Sequence, residues 1–143
     1  MGMTSSTWTC EARGPGFAVG VDAERIARFV RPDRSCNPLP MVFTEREVRH
    51  ADASADPPRA LCAAFCVKEA LFKAAGVPFD PLGCEVFARA DEGPPDVEVD
   101  PSRGGDLRGR RIDVRLFAEG GDLVAAVLLW GEAGGPAPGE TEE

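Results

Sequence analysis

Three charged residues interrupt an otherwise apolar stretch between Leu61 and Ala75, namely Lys68, Glu69 and Lys73. The chain has no lysine anywhere else, although sixteen of its residues are basic. A helix that is apolar nearly all round is a buried helix, and buried charges require partners. We therefore expect these side chains to take part in chemistry rather than in solvation.

Two further carboxylates, Asp22 and Glu24, follow a short apolar segment that begins at Phe17. Carboxylates that converge repel one another unless a cation lies between them, and oxygen ligands without His or Cys favour Mg²⁺. A protein-bound Mg²⁺ usually completes its shell with water and phosphate oxygens. Because nearby lysines would neutralise phosphate charge, the residue types predict phosphoryl chemistry on a diphosphate substrate.

The same residues also have a purely structural interpretation. Asp22 could cap a helix, and Glu69 with Lys73 has the i, i+4 spacing of a common helix ion pair. The apolar neighbours argue against a solvated helix face, but spacing alone leaves both interpretations open.

Composition limits the class of protein. The 143 residues, 43% of them hydrophobic, fit one domain with its own core. No apolar run has the roughly 20 residues of a membrane-spanning helix, and the first sixteen residues contain no apolar signal segment. With a net charge of −8, which disfavours nucleic acid, we expect a cytoplasmic protein without a nucleic-acid or membrane partner.

The five cysteines predict reduced, mostly buried thiols rather than a zinc site. There is no Cys-x-x-Cys pair, and His50 is the only histidine. Cys62 and Cys66 have the i, i+4 spacing that places two side chains on one helix face.

Helical signals surround the lysine-bearing stretch. The segment Phe17–Asp22 predicts a short strand, in which Gly20 indicates close backbone approach, and residues 24–30 predict a helix. Thr44 and Glu47 form a capping box that opens a second helix. The lysine helix follows and ends at Gly76.

The remaining sequence predicts strands. Alternating or continuous apolar residues occupy 84–89, 97–99, 112–117 and 123–130, and residues 119–122 predict a hairpin turn. We expect a single α+β domain in which an antiparallel-rich sheet packs against a long buried helix. The predicted boundaries are a flexible N-terminus (1–16), the domain (17–130) and a disordered acidic tail (131–143).

Four segments together resemble the 4′-phosphopantetheinyl transferase superfamily, in particular its small holo-acyl-carrier-protein synthase branch. They are Gly20-Val-Asp22-Ala-Glu24, Arg28-Phe29, Phe43-Thr44-x-x-Glu47 and Phe65-x-x-Lys68-Glu69-Ala70-x-x-Lys73-Ala74-x-Gly76. The resemblance implies transfer of 4′-phosphopantetheine from coenzyme A to a serine of an acyl or peptidyl carrier protein.

The resemblance also implies roles for individual residues. Asp22 and Glu69, with Glu24 as a third ligand, would hold Mg²⁺, and Glu69, Lys68 and Lys73 would be catalytic. Lys73 would also contact the coenzyme phosphates. Arg28, with Arg25 near it, would contact the acidic carrier protein, and the small branch forms homotrimers.

One strand departs from the family pattern. The small branch usually carries His and Ser in the strand that corresponds to residues 112–119, whereas this chain has neither. Arg111 and Arg115 are the predicted substitutes that would bind the coenzyme 3′-phosphate. A non-catalytic relative that only binds a carrier protein is the alternative function.

Overall fold

The computed structural model describes residues 10–14, 16–30, 39–90 and 93–131. The strands in these ranges are β1 (Cys10–Gly14), β2 (Phe17–Arg25), β3 (Cys84–Phe87), β4 (Asp96–Val99), β5 (Arg111–Glu119) and β6 (Asp122–Trp130). The helices are α1 (Leu39–Val42), α2 (Glu45–Asp52) and α3 (Pro57–Ala75). Short 3₁₀ turns at Ile26–Phe29, Pro81–Gly83 and Gly105–Leu107 connect several of these elements.

Two antiparallel sheets confirm the predicted α+β class. The larger has the strand order β1-β2-β6-β5, and β3 pairs with β4 in the smaller. Residues alternate between the two faces of a strand, and the alternate residues Ala18, Gly20, Asp22 and Glu24 of β2 are buried. Their face of the large sheet packs against α3, whose own buried residues form much of the core.

Helix boundaries follow the local signals in the sequence. The Thr44 side chain accepts a hydrogen bond from the Glu47 backbone N–H, while the Glu47 carboxylate accepts one from the Thr44 N–H, which confirms the capping box. At the end of α3, Gly76 adopts the left-handed conformation with φ 76°, which favours glycine because it has no Cβ. Within the described ranges, no helix is both long and apolar enough to cross a membrane.

The N-terminal part differs from the expectation in two ways. β2 continues to Arg25, so the helix predicted over residues 24–30 is reduced to a 3₁₀ turn at Ile26–Phe29, and Asp22 lies inside a strand, not at a helix start. Residues 10–14 lie in the predicted flexible N-terminus but form β1, which pairs with β2 over the first five residues of β2. Residues 1–9 and the predicted acidic tail from residue 132 lie outside the described residues.

Candidate active site

Helix α3 lies directly on the backbone of β2 at Gly20. A Cβ placed on Gly20 would be 2.1 Å from the Ala70 carbonyl oxygen and 2.8 Å from the Ala74 nitrogen. Both distances are far shorter than van der Waals contact, so only glycine permits this approach. The close backbone approach predicted at Gly20 is therefore confirmed.

Two thiols of α3 continue this contact along β2. Cys66 Sγ donates a hydrogen bond to the Asp22 carbonyl oxygen at 3.1 Å, and Cys62 Sγ lies 3.7 Å from the Glu24 carbonyl oxygen. Four helical residues rise about 6 Å, close to the roughly 6.6 Å spanned by two residues of a strand. Because these two distances are similar, residues four apart in α3 contact residues two apart in β2. Asp22 and Glu24 therefore lie beneath the middle of the helix.

Asp22 forms the centre of the candidate site. Its side chain is fully buried, and its Oδ1 accepts a hydrogen bond from Lys73 Nζ at 2.7 Å. Its Oδ2 is also buried, and no described residue donates to it when Glu24 is ionised. Since a buried carboxylate oxygen without a donor is costly, the arrangement leaves one strong acceptor available for a ligand.

Glu24 shares the face of β2 that carries Asp22 and is 7% exposed. Burial, followed by a hydrogen bond to Asp22 and the charge of that carboxylate, raises the pKa of Glu24 to about 7. Arg28 opposes this shift through an ion pair with the Glu24 carboxylate. The Arg28 guanidinium also lies over the Phe65 ring, 5.4 Å from its centroid.

Glu69 projects from α3 into the same electrostatic environment. Burial raises the pKa of its half-buried carboxyl group, and the charge of Asp22 adds to the increase, whereas Lys73 and Arg28 lower it. The charges of Asp22 and Lys73 therefore both act on the carboxyl group of Glu69. A carboxylate whose ionised form is disfavoured has the character of a proton acceptor in catalysis.

The described residues do not form the predicted three-carboxylate metal site. No group of three or more His, Cys, Asp or Glu side chains within these ranges has the arrangement of a metal centre. Mg²⁺ nevertheless binds through only one or two carboxylates when substrate phosphates supply the other ligands. The free Asp22 Oδ2 and the adjacent Glu24 fit such a partial site.

Lys68 belongs to a different part of the structure. Its ammonium group donates to the Val42 and Pro81 carbonyl oxygens and to Glu47 Oε1, and its side chain is 1% exposed. An ammonium group has three N–H donors, so all three are used. This geometry contradicts the catalytic role predicted for Lys68, because no donor remains for substrate.

Arg111 and Arg115 lie on the opposite face of the large sheet from Asp22. The register pairs Asp22 with Ala125 and Ala125 with Leu116, so even-numbered residues of β5 share the helix-covered face. Both arginines are exposed on the outer face, where Arg111 pairs with Asp113 at 3.2 Å. Within one chain these two arginines therefore do not face Asp22, and their contact with the coenzyme 3′-phosphate stays a prediction.

The structure also contains a cleft that was not predicted from the sequence, and two other arginines line it. The cleft has a volume of about 710 Å³ and is lined by Arg59 and Arg89 together with small and apolar side chains such as Ala63, Leu116 and Leu123. Leu123 pairs with Glu24 across β2 and β6, so one lining residue neighbours the carboxylate cluster, although the carboxylates themselves do not line the cleft. Neither arginine lies in a recognisable motif, and the cleft exists only because distant segments meet.

Comparison with known proteins identifies a family. A sequence model of the 4′-phosphopantetheinyl transferase superfamily matches residues 18–127, which is most of the chain. No curated protein matches the sequence.

Several solved structures have a similar fold. The acyl carrier protein synthase of Mycobacterium tuberculosis is 28% identical, with 79% of this chain and 96% of that chain covered and a TM-score of 0.58. The corresponding Chronobacterium ammoniagenes protein in complex with CoA is 21% identical (82% and 98% covered, TM-score 0.62). The Helicobacter pylori holo-[acyl-carrier-protein] synthase with coenzyme A is 18% identical (78% and 98% covered, TM-score 0.60).

Proposed function

The chain belongs to the 4′-phosphopantetheinyl transferase superfamily, and we propose that it transfers 4′-phosphopantetheine from coenzyme A to a serine of a carrier protein. The observation that carries the proposal is the buried Asp22–Lys73 pair with its free carboxylate oxygen, next to Glu24 and Glu69. Lys73 can bind a phosphate oxygen directly, and the carboxylates can hold a divalent cation that in turn binds the diphosphate.

In the proposed reaction, the serine Oγ forms a bond to the phosphorus that carries pantetheine. The bond from that phosphorus to the bridging oxygen breaks, and 3′,5′-ADP leaves. Glu69 accepts the serine proton, for which its raised pKa is suited. Lys73, with a side chain 19% exposed, stabilises the negative charge that accumulates on the phosphate oxygens.

Mg²⁺ is the proposed cofactor. Asp22 and Glu24 would hold the ion. The Glu69 carboxyl group, whose pKa is raised in part by the charge of Asp22, would respond to the charge of the bound ion. When bound, the ion would neutralise charge on the diphosphate. Ionisation of Glu24 would then be favoured, since a nearby cation lowers the pKa of a carboxyl group.

The cleft lined by Arg59 and Arg89 is the proposed binding site for the adenosine 3′-phosphate of coenzyme A. Its apolar floor suits an adenine ring, and arginine binds phosphate in a bidentate manner. We expect Arg59→Ala and Arg89→Ala each to raise the KM for coenzyme A by about tenfold, the value of one charge-assisted hydrogen bond.

Dephospho-coenzyme A, which lacks the 3′-phosphate, supplies the control in steady-state transfer assays. Its KM should change less than about twofold in both variants, because dephospho-coenzyme A has no 3′-phosphate for either arginine to bind. Arg108→Ala, at an exposed arginine outside the cleft, should leave both KM values unchanged. An equal rise in KM for the two substrates would contradict the assignment.

The carrier protein is proposed to approach the side of the site that carries Arg25 and Arg28. Arg25 is exposed and pairs with Asp122 at 3.6 Å, and Arg28 is more than half exposed despite its pairing with Glu24. Two exposed guanidinium groups beside the carboxylate cluster would guide an acidic partner towards Glu69.

We also propose a homotrimer, held together by the outer face of the large sheet. This face exposes Phe117 and Trp130, with relative accessibilities of 55% and 37%, among partly buried valines of β2 and β6. Contiguous apolar surface of this kind usually marks an interface. Sedimentation equilibrium should give three times the 15.2 kDa chain mass, and Phe117→Asp should lower that mass; a wild-type monomer would contradict the proposal.

The decisive experiment is a transfer assay with coenzyme A, Mg²⁺ and apo carrier proteins. Mass spectrometry should show the carrier gaining one phosphopantetheine and 3′,5′-ADP appearing in equal amount. A chain that binds carrier protein but yields no mass increase with any carrier tested would favour the alternative, a non-catalytic carrier-binding relative.

A further inference from the structure

The junction between α2, α3 and β3 centres on the ion pair of Lys68 and Glu47. Lys68 Nζ lies 2.8 Å from Glu47 Oε1 and 2.7 Å from each of the Val42 and Pro81 carbonyl oxygens. The two charged side chains are each 1% exposed. The pair is therefore fully shielded from solvent and from any substrate.

Glu47 connects more elements than a capping residue needs to. Its Oε1 accepts from the Thr44 backbone N–H as well as from Lys68, and its Oε2 accepts from the Val86 backbone N–H at 2.7 Å. One carboxylate thus closes the start of α2, anchors β3 and holds the middle of α3. Removing either charge would leave the other buried without a counterion.

Lys68 and Glu69 are neighbours in α3 but point in different directions. Consecutive residues are about 100° apart around an α-helix, so fixing Lys68 to Glu47 also fixes the rotation of the turn that presents Glu69. By contrast, Lys73 is about 140° from Lys68 on this count and reaches Asp22 instead.

We infer that Lys68 is a positioning residue, which orients the Glu69-bearing turn of α3 through its buried pair with Glu47, and that it makes no contact with coenzyme A. The inference rests on the proposed function for its kinetic readout, whereas the pairing itself can be tested without turnover. Of the two lysines, only Lys73 then acts directly on the diphosphate of the coenzyme.

A double-mutant cycle tests the inference with Lys68→Met, Glu47→Gln and the combined variant. Lys68→Met should lower the urea midpoint and lower kcat on the order of 10²-fold, the usual effect of a small misplacement of a catalytic group. Adding Glu47→Gln removes the unpaired buried charge, so the double variant should recover part of both losses; the recovery stays incomplete because the Gln amide has one acceptor oxygen for the two backbone N–H groups that Glu47 accepts from. The KM for coenzyme A should stay within about twofold in every folded variant.

Lys73→Met is the matched control, since the residue it replaces pairs with Asp22 and not with Glu47. Its kinetic defect should persist when Glu47→Gln is added. Recovery in the Lys68 double variant but not in the Lys73 double variant supports positioning. A tenfold or larger rise in KM for coenzyme A in Lys68→Met, or no recovery in its double variant, would overturn the inference.

Amide hydrogen exchange supplies a readout that does not require turnover. Exchange in the peptide covering residues 65–72 should increase in Lys68→Met and return towards the wild-type rate in the double variant. If the wild type transfers nothing, the proposed function fails, but the exchange data still decide whether the pair fixes this turn. Unchanged exchange in a folded Lys68→Met variant would count against the inference in either case.

Discussion

Replacing Glu69 with Gln is expected to lower kcat by about 10³-fold, within the range contributed by a positioned acid or base. The substitution keeps the size and shape of the side chain but removes its ability to accept the serine proton. It also removes one negative charge from the environment shared with Asp22 and Lys73. Steady-state transfer assays at saturating coenzyme A measure the change.

Stability separates this catalytic loss from misfolding. Burial raises the pKa of Glu69, so its ionised form is less favourable in the folded chain than in the unfolded one, and a neutral Gln should unfold at the same or a higher urea concentration. Glu45→Gln is a suitable control because that glutamate is 93% exposed on α2. A kcat within tenfold of wild type in Glu69→Gln would rule out the proposed role as proton acceptor.

The largest structural effect is expected from Gly20→Ala. The new Cβ would meet the Ala70 carbonyl oxygen at 2.1 Å and the Ala74 nitrogen at 2.8 Å. Both are backbone atoms that cannot rotate away, so α3 must move off β2. We expect the free energy of unfolding to fall by about 3 kcal/mol, the upper part of the range for overpacked cores.

The same displacement should weaken catalysis, because α3 carries Lys73 and Glu69 while β2 carries Asp22. Gly121→Ala is the matched control: its Cβ would meet nothing within 4 Å. Urea denaturation curves with equal m-values give the comparison. A loss of less than 1 kcal/mol in Gly20→Ala would mean that the helix adjusts more easily than this contact implies.

Several features of this fold depend on interactions between residues close together in the chain or on a single residue type, and these features could be predicted from the sequence. The capping box at Thr44 and Glu47, the end of α3 at Gly76 and the tight approach at Gly20 each depend on residues close together in the chain or on one special residue. The apolar stretch that contains Lys68, Glu69 and Lys73 correctly predicted a buried helix.

Contacts between segments far apart in the chain determine the features of the fold that the sequence did not predict. The segment after Asp22 has helical spacing, yet β6 pairs with β2 as far as Arg25 and holds it extended. The polar sequence of β1 gave no sign of its partner. The sequence alone did not distinguish the roles of Lys68 and Lys73, although a spacing of five residues places them on different sides of a helix. Glu47 is identified as the partner of Lys68 only by the folded structure.

The three thiols at Cys62, Cys66 and Cys84 are each fully buried. Burial raises the pKa of Cys62 and of Cys84 to about 12 and raises that of Cys66 as well, so almost none of the reactive thiolate exists at neutral pH. Alkylation at these positions should consequently require opening of the core. The thiols can therefore report on opening of the core. Cys62 and Cys66 lie on α3, whereas Cys84 lies on β3 of the small sheet. Comparing their labelling rates would show whether α3 and the small sheet open together.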